Sequence, residues 1–331
     1  ASWGQIYGSA CEYDAALPAL EEAMSRQAPF KRKPRVAFAY AYSLACKGMI
    51  LSDQGNFKEA FDCFDEADEL TRGAAHPTQG SIVCMRSGAY LWQGRWEEAK
   101  DSGRRNTELC DRMGSRYLAA MSSVQATYAR WQLDRSSSID AMSRALSWVE
   151  TNDQFIWTSM HFSWYCEVLA TLGRYQEARR AAVWVLKRAR KLERLGESVA
   201  YCALATIPSS PQAMASADRC FERARASAEH RQSRREHALI DLKEAAYLAE
   251  RGLPVEARRI LSDCQAILVS DLGEGPKEAL SKRGVKPITM SGFIEKGLEA
   301  VYTGKGLSTL QGRMRKCSSK GECLGTGTGC G

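Results

Sequence analysis

The chain of 331 residues carries 46 Lys and Arg against 39 Asp and Glu, a formal net charge of +7, and 44% of its residues are hydrophobic. That balance excludes an intrinsically disordered chain and allows a sizeable core, as two compact domains or as one long repeat array. No apolar run reaches the roughly 18 residues of a membrane span; the richest stretch, residues 36–46, is broken by Ser43 and ends at Lys47, as a buried helix would.

Apolar residues recur at helical spacing and Pro is scarce, at nine, which predicts an all-α chain. Read from the N-terminus, a short phrase punctuates this pattern. It begins as Glu12-Tyr13-Asp14-Ala15-Ala16, without a glycine. It continues as Gly55-Asn56-Phe57-Lys58-Glu59-Ala60, Gly94-Arg95-Trp96-Glu97-Glu98-Ala99 and Gly173-Arg174-Tyr175-Gln176-Glu177-Ala178, with a weaker copy at Gly252-Leu253-Pro254-Val255-Glu256-Ala257. The glycine suits the left-handed end of one helix. The aromatic packs across the turn, the acidic residue sits in the first turn of the next helix, and the alanine lets the two helices approach.

Degenerate copies around Ala141 and Ala217 fill the gaps. The marker alanines then fall 44, 39, 42, 37, 39 and 40 residues apart. Twelve positions before each lies a small residue: Gly4, Gly48, Ser87, Ala129, Cys166, Ala205 and Ala245. Nine positions before lies a bulky one in five copies, Tyr7, Leu51, Tyr90, Leu169 and Leu248, but Gln132 and Pro208 in the fourth and sixth. These two sets of positions carry a resemblance to the tetratricopeptide superfamily over about residues 1–270. The spacing near 40, against about 34 in the usual repeat, looks like the long variant found in sensor regions of bacterial ATPase regulators, adenylate cyclases and peptide-pheromone receptors. The resemblance implies a right-handed superhelical α-solenoid of antiparallel helix pairs over residues 1–269, with about seven repeats. Ala1 already falls inside the first helix of a repeat, which predicts more chain before it, a frayed terminal helix being the alternative. Residues 270–303 read as a loop with a short helix, then a closing helix over 291–303. Residues 304–331 read as a flexible Gly- and Cys-rich tail.

No catalytic motif is found, so the chain reads as a non-enzyme without a cofactor. The four histidines form no metal-binding pair, no glycine-rich loop follows a strand, and no convincing strand is present. Nine of the twelve cysteines, from Cys11 to Cys264, stand singly in helical patterns and read as reduced core residues of a cytoplasmic protein. Cys317, Cys323 and Cys330 form a separate tail group. Three thiols could bind a metal or form a disulfide, but their spacing matches no common zinc pattern and a fourth ligand is missing.

Residues 174–235 carry fourteen Lys and Arg against six Asp and Glu, densest at Lys187, Arg188, Arg190 and Lys191. This basic patch suits an acidic partner, nucleic acid or a membrane surface, or is simply a solvated helix face. Without stacking aromatics or a groove-reading helix, charge alone does not support nucleic-acid binding. The resemblance places the ligand-facing side on the first helix of each pair, with Tyr42, Met49, Cys84, Arg130, Met160 and Glu167 at its positions and Trp92 and Trp164 nearby. The Lys/Asn clamp of chaperone-binding members is absent, and mostly small positions with a few Met and Tyr imply an apolar peptide or a partner helix. The resulting expectation is a protein- or peptide-binding scaffold, regulatory within a larger signalling protein. The alternative is a thiol-based metal or redox protein acting through its cysteine tail.

Overall fold

The computed structural model describes residues 2–74, 76–152, 157–207 and 213–253, residues 255, 256 and 260, and residues 266–269 and 286–289. The chain divides into two compact units, Ala1–Ser262 and Asp263–Gly331. Among the described residues of the first unit every regular element is helical. These are α1 Ser2–Ser9, α2 Tyr13–Gln27, a single 3-10 turn at Ala28–Phe30, α3 Pro34–Gln54, α4 Phe57–Thr71, α5 Pro77–Trp92, α6 Trp96–Arg112 and α7 Arg116–Leu133. They continue as α8 Asp140–Thr151, α9 Thr158–Thr171, α10 Tyr175–Ala189, α11 Glu197–Thr206, α12 Ala213–His230 and α13 Arg234–Glu250.

The recurring phrase is a helix-ending device. Gly55, Gly94, Gly173 and Gly252 all take positive φ, between 72° and 91°. The residue after each glycine donates its N–H back to the carbonyl of the bulky residue: Asn56 to Leu51 at 2.8 Å, Arg95 to Tyr90 at 2.9 Å, Arg174 to Leu169 at 2.9 Å and Leu253 to Leu248 at 3.0 Å. This is the six-to-one bond that satisfies an orphan carbonyl at a helix end. The first copy closes the same way, Glu12 to Tyr7 at 2.9 Å. Cys11, at φ 60°, stands there in place of glycine, at a cost of about 1 kcal/mol for a side chain in that region. Helices α2, α4, α6 and α10 then begin on the phrase aromatics Tyr13, Phe57, Trp96 and Tyr175.

The small position and the marker alanine meet across the turn in the first, second and fifth copies. A Cβ on Gly48 would stand 3.0 Å from the Ala60 carbonyl oxygen and from the Phe64 ring. The Cys166 thiol donates to the Ala178 carbonyl at 3.1 Å. Ala16, Ala60, Ala99 and Ala178 are fully buried. The fourth and sixth copies, which lack the glycine turn, still form helices α7 and α8, and α11 and α12. Ala257 lies outside the described residues.

The first helices pack in a row, α1 on α3, α3 on α5, then α7, α9, α11 and α13, and α13 returns against α3. Six described cysteines, Cys11, Cys46, Cys84, Cys110, Cys166 and Cys202, are buried in this core as free thiols. Burial pushes those of Cys11, Cys46, Cys84, Cys166 and Cys202 up to about 12. No described helix is long and apolar enough to cross a membrane.

In the second unit the expectation of helix up to Val269 and loop beyond it is corrected, as is that of a chain without strands. β1 Ala266–Val269 and β2 Lys286–Thr289 pair in parallel, with Ile267 opposite Pro287 and Leu268 opposite Ile288. Four-residue apolar and β-branched runs cannot be told from buried helix by periodicity. The parallel pairing needs a connection of about a dozen residues, which residues 270–285 supply. The expected closing helix at 291–303 and the tail from 304 lie outside the described residues, as do Cys317, Cys323 and Cys330.

Candidate functional site

Four successive first helices, α3, α5, α7 and α9, surround one recess. Helix α3 contributes Tyr42 and Met49, and α5 contributes Ser81, Cys84 and Met85. Helix α7 adds Tyr117, Met121 and Gln125, and α9 with its entry residue adds Trp157, Met160 and His161. The recess is small, about 60 Å³, below the size of drug-sized ligand sites. The walls are chiefly methionine, aromatic and thiol, all soft and adaptable. Gly88 contributes by its size: a Cβ there would lie 3.6 Å from the Met49 methyl and 3.7 Å from that of Met160.

Three polar side chains in this wall are deeply buried, each with one atom that has no partner among the described residues. His161 is 2% exposed, and its Nδ1 lies 2.9 Å from the Trp157 carbonyl oxygen. A carbonyl only accepts, so Nδ1 carries the proton and Nε2 is a bare acceptor. Burial lowers the imidazole to about 4, against a smaller opposing pull from that carbonyl. Gln125, 1% exposed, donates its Nε2–H to the Cys84 carbonyl at 3.0 Å, which leaves Oε1 as a second acceptor. Trp157 keeps an unused indole N–H, and its own backbone is left-handed at φ 63°.

Of the eight expected groove residues, the structure brings Tyr42, Met49, Cys84 and Met160 together here. The others lie elsewhere. Trp164 is buried, stacked on Tyr128 at 5.3 Å. Glu167 accepts from the Tyr128 hydroxyl and from Lys243 Nζ, both at 2.9 Å, and that lysine lowers the carboxyl despite burial. Trp92 lies under the Arg235 guanidinium, 5.3 Å from its ring centre. Arg130 is exposed and donates to the Ser138 carbonyl. Trp157, Gln125 and His161 were not legible as site residues. A single histidine on an apolar helix carries no motif, and only the fold shows that its outer nitrogen has no partner.

The basic patch also divides. Lys187, Arg190 and Lys191 are exposed. Arg188 instead pairs at 3.3 Å with buried Glu193, which accepts the Ser159 backbone N–H at 2.7 Å and so caps α9. Burial nevertheless raises the Glu193 carboxyl.

The fold and the recess together define an all-helical unit with a small, soft-walled internal recess. No family model matches the chain, and no solved structure matches it. Over 70 residues the chain is 36% identical to the FeMo cofactor biosynthesis protein NifB of Chlorobaculum tepidum, a match covering 21% of this chain and 16% of that protein.

Proposed function

We propose that the first unit is a peptide-binding regulatory module, a tetratricopeptide-like solenoid of antiparallel helix pairs belonging to a larger cytoplasmic signalling protein. The observation that carries this reading is the convergence of Tyr42, Met49, Cys84 and Met160, from three helix pairs, on one recess. In this reading a partner segment lies across the first helices and sets one side chain into the recess. A few buried anchors of that kind supply most of the affinity of such contacts. Peptides selected for binding from a random display library test it. Tyr42→Ala, at the half-buried wall, and Cys84→Phe, which fills the space, should weaken the selected peptides by about tenfold or more. Peptides held at full strength by both variants would remove the recess from the binding site.

A second reading rests on the three thiols close together in sequence: a thiol-based metal or redox role for Cys317, Cys323 and Cys330. Iron bound per chain after anaerobic incubation with Fe(II) and sulfide should fall when the three are replaced by serine. Equal iron in both proteins would end this reading.

A further inference from the structure

The unpartnered atoms of the recess specify more than an apolar occupant. A buried polar atom without a partner costs about 1–3 kcal/mol, and three side chains of the recess wall each carry one: the acceptors His161 Nε2 and Gln125 Oε1 and the donor Trp157 Nε1–H. Their chemistry is complementary to one functional group. A hydroxyl supplies an O–H for an acceptor and lone pairs for the indole N–H. A carboxylate would meet two acceptors, and an ammonium would enter a site with no carboxylate in its wall. Either charge would also be stripped of water. In the same wall the methionine sulfurs of Met49, Met85, Met121 and Met160 favour an aromatic ring. The left-handed backbone at Trp157 is a further mark of a position held for function, since bulky residues seldom adopt it.

We infer that the recess is a selective site for an uncharged phenol group, its hydroxyl donating to His161 Nε2, presented as the tyrosine side chain of the bound segment. The inference rests on the reading of the recess as the ligand site and adds the anchor's identity. It requires imidazole to be neutral with Nδ1 protonated, the form fixed by the Trp157 carbonyl. The recess then discriminates between tyrosine and phenylalanine, which a purely apolar pocket does not do.

The test uses the whole chain, with its methionine methyls labelled for NMR, and titrates p-cresol against toluene. These are the side chains of tyrosine and phenylalanine without a backbone. Capped Gly-Tyr-Gly and Gly-Phe-Gly peptides follow. The expected result is saturable binding of p-cresol about tenfold tighter than toluene, with shifts at Met49 and Met160, and the same order for the peptides. His161→Leu should remove the p-cresol advantage and leave toluene unchanged. Trp157→Phe, which keeps the histidine, should reduce it independently, so that loss of folding in one variant leaves the other to decide. Thermal melting identifies which variants are folded. Toluene binding as tightly as p-cresol would overturn the hydroxyl inference while keeping the recess as a ligand site. Binding of neither would overturn the recess itself. Binding of p-cresol but not of the tyrosine peptide would overturn the peptide source and assign the site to free phenols.

Discussion

Asp53 and Arg231, 178 positions apart, meet at 3.2 Å with both side chains buried. Asp53 is the last residue but one of α3, and Arg231 follows α12. Around them Tyr13 donates to Asp53 at 2.6 Å, Arg231 donates to Ser198 at 2.8 Å, and Ser233 donates to the Asp53 carbonyl at 2.7 Å. The network fastens the end of the helical row to its beginning, where α13 touches α3. Breaking a buried ion pair by removing one partner costs more than the intact pair contributes. Arg231→Met removes one of the two guanidiniums, Arg231 and Arg235, that pair with Asp53 and Glu236, and the expected loss is about 3 kcal/mol, the lower end for a broken buried pair, read from the urea midpoint. A loss under about 1 kcal/mol, the range of exposed pairs, would mean that the closure is not held by this pair.

Stability should also depend on pH through His161. Burial sets its folded value at about 4, below the ordinary 6.5. Between those values the unfolded chain binds a proton that the folded chain refuses. The contribution is therefore complete above 6.5 and is lost as pH falls toward 4, up to about 3 kcal/mol. Denaturation curves across this window should slope downward on acidification, and His161→Phe should flatten them. Glu236 acts in a lower window. Burial pushes its carboxyl up, but Arg235 and Arg231 outweigh that and bring it to about 2, so its contribution is lost as pH falls below the usual carboxylate range.

The turns were legible because each is a local device. Gly55, Gly94 and Gly173 stand where the backbone must be left-handed, and the small and bulky positions twelve and nine before each alanine fix the packing and the closing bond. Cys11 shows the limit: the same turn forms without its glycine. The closure of the row was not legible. Asp53 and Arg231 share no period, and a buried ion pair between distant helices leaves no mark on either helix alone. Half the expected groove residues reach the recess for the same reason. The repeat tells which helix faces inward, but the neighbours decide whether a side chain such as Trp164 lines a space or fills one.

Close approach of α6 and α7 depends on Gly103. A Cβ there would meet the Ser122 carbonyl oxygen at 2.9 Å and the Ala126 nitrogen at 3.0 Å, both backbone atoms that cannot swing aside. Gly103→Ala should therefore lower stability by about 1–3 kcal/mol through forced separation of the two helices. At Gly55 the surroundings are open and only the positive φ resists a side chain, so Gly55→Ala should cost about 1 kcal/mol. Thermal melts of the two variants, compared side by side, separate packing from backbone strain; a Gly103→Ala protein as stable as the parent would show that the two helices can move apart freely.

The basic segment at the end of α10 offers a sharper contrast within four neighbouring cations. Lys187, Arg190 and Lys191 are exposed, and replacing all three by alanine should change stability by no more than about 0.5 kcal/mol per residue. Arg188 sits among them in sequence but faces inward, pairing with Glu193, which is 3% exposed and holds the Thr158 hydroxyl and the Ser159 N–H at the start of α9. Arg188→Ala removes that carboxylate's charge partner and should cost about 1.5–3 kcal/mol, the range for hydrogen bonds to charged groups. The same substitution loosens the start of the helix that carries Met160 and His161, so ligands of the recess should weaken with Arg188→Ala and keep their affinity in the triple variant. Equal stability and equal ligand affinity in the two proteins would place Arg188 with the solvated face instead of with the site.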